Sequence, residues 1–286
     1  MDSIKLMSAS MIFILLSLSQ NLLGQKIEGV SLPEEIDRLI VDKMEEGDIP
    51  GLSMVIINGD NQVIKNYGYA DIDENIKVTP ETLFEIGSNS KAFTALLVTE
   101  LERNNRLDLN DNVSKYLPWF KTYFEDEAVE IKVRHLIHHT SGIPWSTISK
   151  IPATKAEDAL EMTVRTLIGQ ELRNPPGEEY EYATINYDVL ALIVQEITGQ
   201  PFEKSMNEVI FDNLGLSYTS IGKPKNENLM SNGYKIGFFS PRDYEAPRFK
   251  GNNASGYVIS NAIDMAKWLR FHMSEDSSGL NRSAQI

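Results

Sequence analysis

The sequence predicts an α+β fold in which an antiparallel sheet is set against a larger helical body. Residues 51–71, "GLSMVIINGDNQVIKNYGYAD", hold two β-rich runs around Asn58-Gly59, a strong hairpin signal. Residues 90–103, 185–201, 202–216 and 260–273 then carry helix-spaced apolar residues with recognisable stops. Two strands cannot make a stable sheet alone and need further strands or a packed layer. No convincing group of later strands can be read before Ile286, so the C-terminal strands that would complete the sheet are expected to be missing.

Each element has a local cause. Residues 1–25 read as a secretory signal: Lys5 opens it, the apolar run "MIFILLSL" at 11–18 is its centre, and Gly24 lies near the cut. That run is short for a bilayer span. Residues 26–286 are then one domain, C-terminally incomplete. Its first helix falls within 32–51, begun by Pro33 with Glu34 and Glu35 in the first turn, striped by Ile36, Leu39 and Ile40, and ended by Gly47. After the hairpin, the 90–103 helix is apolar on every side until Glu100 and Glu102, the mark of a buried helix. Gly199 and Pro201 close the helix that starts at Ile185. Asn261 and Asp264 are placed to cap the last helix.

Composition narrows the classes. With 286 residues, 42% hydrophobic and 24% charged, the chain can bury a real core. A net charge of −14 argues against nucleic acid as a partner, because phosphate neutralisation needs clustered cations. There is no cysteine, so a secreted form has neither disulfides nor thiolate chemistry. Asn-x-Ser sequons at Asn112, Asn253 and Asn281 are candidate glycosylation sites in a eukaryotic secretory pathway.

One residue stands out against the helical pattern. Lys91 heads the greasy 90–103 helix, where a buried amine is costly unless something uses it. Ser88 precedes it by three residues, so Lys91 can lean back toward that hydroxyl on a common face. The helix N-terminus directs free N–H groups at any negative charge that develops there. Burial favours a neutral amine able to take the serine proton. Ser90 is the rival nucleophile, but an adjacent residue faces away from Lys91.

Two other patterns are weaker. His135, His138 and His139 in "RHLIHHT" lack a matching acidic ligand, so no metal is expected, and no cofactor either. The acidic stretches at 71–75 and 108–112 lack the glycine and glutamate of a calcium loop and read as turns and caps.

The chain resembles the serine β-lactamase and penicillin-binding-protein superfamily. More narrowly, it resembles the branch of class C β-lactamases, D-alanyl carboxypeptidases and esterases. The segments that carry the resemblance are "FEIGSNSKAFTALL", "VRHLIHHTSGIP" at 133–144, "PPGEEYEYATINYDVLALIVQEITGQPF" at 175–202 and "ASGYVISNAIDMAKWLRFHM" at 254–273, in the family's order. The resemblance implies a β-lactamase/transpeptidase-like fold, with Ser88 as acylated nucleophile and Lys91 as its proton partner. The family's Tyr-x-Asn motif falls on Tyr182-Ala183-Thr184. Tyr182 is then the phenol that shuttles a proton to the leaving group. Thr184 departs from the motif, and its hydroxyl is shorter than an amide and lacks the NH2 donor for substrate. The family's third motif, a Lys-Thr-Gly or His-x-Gly strand that helps build the oxyanion hole, is not found in 274–286.

The functional expectations follow. The first is a secreted serine hydrolase acting through an acyl-enzyme on a small amide or ester substrate, with no membrane span after signal removal. The alternative is an extracellular matrix component that keeps the fold without turnover. Proteins of this fold resembling the chain occur in molluscan shell matrix, where an acidic chain meets a mineral surface.

Overall fold

The computed structural model describes residues 34–237 and 240–274. The signal at 1–25, the sequon at Asn281 and the stretch 275–286 lie outside the described residues. Helix α1 spans Glu34–Glu46, and strands β1 (Gly51–Asn58) and β2 (Asn61–Asp71) follow as an antiparallel hairpin. The turn is Gly59-Asp60, with Asn58 paired to Asn61, one residue later than the sequence signal placed it. Strand β3 (Ile76–Lys77) joins β2 as the third strand of this sheet. The stripe expected on α1 is only partly used, because Leu39 is exposed and no residue of the helix is fully buried. Polar contacts hold α1 instead: Tyr67 and Lys65 of β2 both donate to the Asp37 carboxylate. Burial, and then the bond to Asp37, push the Tyr67 phenol up to about 12.

The helical body is built on α2 (Ser90–Arg103) and α3 (Ile185–Thr198). Every residue of α3 from Ile185 to Val194 is buried, the polar Asn186 and Asp188 among them. Phe93 of α2 stacks on Trp268 at 3.8 Å between ring centroids and meets Phe211 edge-on at 5.8 Å. Trp268 belongs to α4 (Ala262–Met273), which crosses the hairpin. Arg270 of α4 donates to the carbonyl of Asp60 at 3.1 Å and to Gln62 Oε1 at 3.2 Å, clasping the turn.

Two expectations change and one holds. Glu100, read as the start of a polar face, is buried and paired with Arg103; burial raises its carboxyl above the usual range while the arginine opposes that shift. Asn261 caps α4 by accepting from the Asp264 N–H at 2.9 Å. Asp264 does not share the capping. Its carboxylate accepts from the N–H groups of Tyr218 and Thr219, at 2.7 and 2.9 Å, and braces that loop.

Later strands are also present. β4 (Phe84–Glu85), β8 (Ser220–Ile221) and β11 (Val258–Ser260) form a sheet in the order β4-β11-β8. A further sheet is β6-β5-β7, from Glu127–Val129, Thr122–Phe124 and Gln170–Glu171. β9 (Tyr234–Gly237) pairs with β10 (Ser240–Asp243). These strands have two to four residues each, too short to show alternation in the sequence.

Candidate active site

The segment between β4 and α2 presents Ser88. Gly87 takes φ +55° with open space where a Cβ would stand, so only its handedness demands glycine. A single 3-10 turn, Gly87–Asn89, then leads into α2. The backbone N–H of Ile86 donates to the carbonyl of Val258, at 2.9 Å, which anchors the turn to β11. Ser88 is exposed at the crest, and Ser90 is fully buried.

This separates the two serines. Ser90 Oγ donates to the Gly87 carbonyl at 2.6 Å and accepts from the Val258 N–H at 3.0 Å. Its hydroxyl is committed to holding the turn. Ser90→Ala should cost about 1–3 kcal/mol of stability, by orphaning a buried N–H, while Ser88 remains reactive. Denaturant unfolding and active-serine labelling read the two effects separately.

Ser88 Oγ lies 3.0 Å from Tyr182 Oη, and Lys91 Nζ donates to Ser88 Oγ at 3.2 Å. Lys91 is 6% exposed. A second bond, at 2.8 Å, runs from its Nζ to the Ser255 carbonyl. That carbonyl can only accept, so it pins the amine through one N–H and leaves the rest of the nitrogen to face Ser88. Tyr182 precedes α3 and is half-buried. Burial alone would raise its phenol, but hydrogen bonds from Lys91 and Ser88, the lysine charge and the Thr184 hydroxyl outweigh it and leave the phenol below its ordinary value. A phenol so lowered gives up its proton more readily than a free tyrosine.

His139, from the 133–144 loop, backs the tyrosine with 4.5 Å between ring centroids. Its Nδ1 accepts from the Ala183 N–H at 3.3 Å and lies 3.2 Å from the Asn186 amide nitrogen. Burial and the nearby Lys91 charge hold this imidazole down at about 4, so it is neutral and a support for the Tyr182 segment. Asn186 in turn accepts from Ser141 Oγ at 2.9 Å. Gly142 ends this loop at φ +77°, and a Cβ there would lie 2.1 Å from the Asn174 carbonyl oxygen. His135 is elsewhere, its Nδ1 accepting from the Lys132 N–H at 3.3 Å.

The acidic stretches close turns. Asp71 Oδ1 accepts from the Glu74 N–H, and Asp108 Oδ1 from that of Asn110. Asn112 stands before the Val113–Tyr116 turn. The Asn253 amide donates to Glu203 Oε1 at 2.8 Å and Ser255 of that sequon is fully buried, an arrangement that a glycan would disrupt.

Sequence reasoning brought Ser88, Lys91, Tyr182 and Thr184 to notice, and the fold gathers all four. It missed His139, considered only as a metal ligand, and it missed Ser255 and Asp188. Asp188 had a signal: a carboxylate inside "INYDVLALIV" is as anomalous as a lysine heading α2.

A serine at a helix head, with a lysine one turn on and a tyrosine from a second segment, is set on a β-lactamase/transpeptidase-like fold. The profile of the Beta-lactamase family matches residues 36–285, and the chain belongs to that family. It is 35% identical over 243 residues to protein flp of Staphylococcus aureus strain N315, covering 84% of this chain and 49% of that protein. Teichoic acid D-alanine hydrolase of S. aureus strain MRSA252 is 31% identical over 240 residues, covering 82% of this chain and 56% of that protein. The chain therefore spans about half the length of these curated relatives. Among solved structures, the octameric penicillin-binding protein homologue from Pyrococcus abyssi superposes with TM-score 0.74 at 28% identity, over 85% of this chain and 56% of that one. FmtA from S. aureus gives 0.69 at 26% identity, over 88% of this chain and 70% of that one.

Proposed function

We propose that the protein is a secreted serine hydrolase that opens amide or ester bonds through an acyl-enzyme on Ser88. The observation that carries this reading is the convergence on Ser88 Oγ of Tyr182 Oη at 3.0 Å and Lys91 Nζ at 3.2 Å. Lys91 takes the Ser88 proton as Oγ bonds to the substrate carbonyl carbon. The C–N or C–O bond of the tetrahedral adduct then breaks, and Tyr182 relays the proton to the departing amine or alcohol. Water attacks the Ser88 ester next, releasing the acid and restoring the hydroxyl. The Ser88 N–H at the head of the 3-10 turn offers one oxyanion donor. D-alanyl esters or peptides, β-lactams and small esters all suit such a site, and one relative is a teichoic acid D-alanine hydrolase.

The secretory reading rests on the apolar run at 11–18. Among the described residues no helix is long and apolar enough to cross a membrane. A second reading, an extracellular matrix component without turnover, draws on Thr184 in place of the motif asparagine and on the net charge of −14.

A fluorophosphonate or fluorescent penicillin separates the two. The hydrolase reading expects covalent labelling of the purified protein at Ser88, lost in Ser88→Ala, together with turnover of an activated ester. A folded protein that no such probe labels, recovered from a mineral or matrix extract, would support the second reading and defeat the first.

A further inference from the structure

Behind the catalytic lysine lies a buried polar chain with too few protons if its carboxyl is ionised. Ser255 Oγ lies 2.7 Å from Asp188 Oδ1 and 2.8 Å from the Thr184 carbonyl oxygen. Each of these oxygen–oxygen contacts needs a proton between its atoms. The serine supplies one and a carbonyl supplies none. The other Asp188 oxygen accepts from Asn252 Nδ2 at 2.7 Å, and Asp188 and Ser255 are both fully buried.

We infer that Asp188 is a neutral carboxylic acid in the working protein, donating to Ser255 so that Ser255 donates to Thr184, and that it is a positioning residue for Lys91. The proton runs then close without an orphan: Asn252 to Asp188, Asp188 to Ser255, Ser255 to the residue that caps α3. The same Ser255 offers its carbonyl to Lys91 Nζ at 2.8 Å, so the chain fixes the oxygen that aims the amine at Ser88. Burial supports this protonation by pushing the carboxyl up to about 7, against the bonds from Ser255 and Asn252 and the Lys91 charge.

The inference rests on the acyl-transfer reading. The Lys91 charge is among the causes that oppose the rise of the Asp188 carboxyl. An ionised Asp188 has no proton to give Ser255, so above neutrality the residue whose carbonyl holds Lys91 Nζ loses part of its support. Tyr257, beyond the 253–256 turn, is the other titratable group coupled to Asp188. On the other segments packed against α3, Glu161 pairs with Arg165, Lys115 with Asp111, Lys204 with Glu208 and Lys250 with Glu157. Arg134 bonds Asn110, Glu203 accepts from Asn253, and the His135 and His139 rings accept backbone N–H groups.

The test has two independent parts. Carbon-13 labelling of the aspartate carboxyls in the full chain should show one signal, assigned through the backbone resonances of Asp188, that titrates near neutrality and is absent from Asp188→Asn. If every aspartate carboxyl is ionised by about pH 5.5, the inference fails. Fluorophosphonate labelling of Ser88 should proceed in Asp188→Asn within about threefold of wild type at mildly acidic pH, and exceed it increasingly above neutrality. A flat ratio of the two rates across that range overturns the proposal. So does a hundredfold loss at every pH in a variant with unchanged circular dichroism. A wild-type protein that no probe labels would sink the hydrolase reading alone, since the carboxyl titration still decides the state of Asp188.

Discussion

Lys91→Ala is expected to slow acylation of Ser88 by roughly 10²–10⁴-fold while the protein still folds. The amine donates to Ser88 Oγ and is held by the Ser255 carbonyl, so its removal takes away the proposed proton acceptor. Tyr182 keeps its 3.0 Å contact with Ser88 and accounts for the residual rate. Lys91→Arg should be as slow, because a guanidinium stays charged and cannot serve as a base, and its fork does not match one serine oxygen and one carbonyl. Stopped-flow labelling with a fluorophosphonate measures both variants. A rate for Lys91→Ala within a few-fold of wild type, at matched circular dichroism, would show that the lysine is structural.

The second large effect is on stability. The folded Asp188 carboxyl is raised to about 7 from an ordinary 3.8, so between these pH values the folded protein holds a proton that the unfolded chain has released. The contribution is thus fully present below the unfolded value and is lost as pH rises through the folded one. The slope approaches about 1.4 kcal/mol per pH unit, or roughly 4 kcal/mol over the window. Other carboxylates act in the opposite sense at lower pH: bonds from Tyr67 and Lys65 lower Asp37, and bonds from Lys115 and Tyr116 lower Asp111. Asp188→Asn, neutral at every pH and able to donate to Ser255, should remove the decline toward neutrality. Urea unfolding between pH 5 and 8 tests this: wild type should weaken relative to the variant as pH rises. Parallel curves would mean that Asp188 is already ionised at pH 5.

The pairing of Ser88 with Lys91 was legible because their relation is local. A three-residue spacing at a helix head places two side chains together whatever else the chain does. The helical body was legible for a similar reason, since α3 is apolar on all sides apart from Asn186 and Asp188 over its first ten residues, and burial suits it. Tyr182 lies 94 residues from Ser88 and was reachable only through resemblance to a family. Ser255, 164 residues from Lys91, contributes its backbone carbonyl to that lysine, and a carbonyl has no signature in sequence. Glu100 was misread because amphipathic patterning cannot see Arg103 folding back over a buried carboxylate. Asp264 looked like a partner in a capping box, but two N–H groups of a loop more than forty residues away proved better donors for it. Tertiary structure overrode a local preference at Asp264, whereas Glu100 is met by a residue of its own helix.

One arrangement at Ser88 carries the proposed chemistry, and the crystal structure of a phosphonate adduct tests it most directly. The expected density joins phosphorus to Ser88 Oγ, with Lys91 Nζ and Tyr182 Oη both in hydrogen-bond reach of the bonded or departing oxygen and with Ser90 still bound to Gly87. An adduct on any other residue, or one from which the Tyr182 phenol and the Lys91 amine have both turned away, would contradict it.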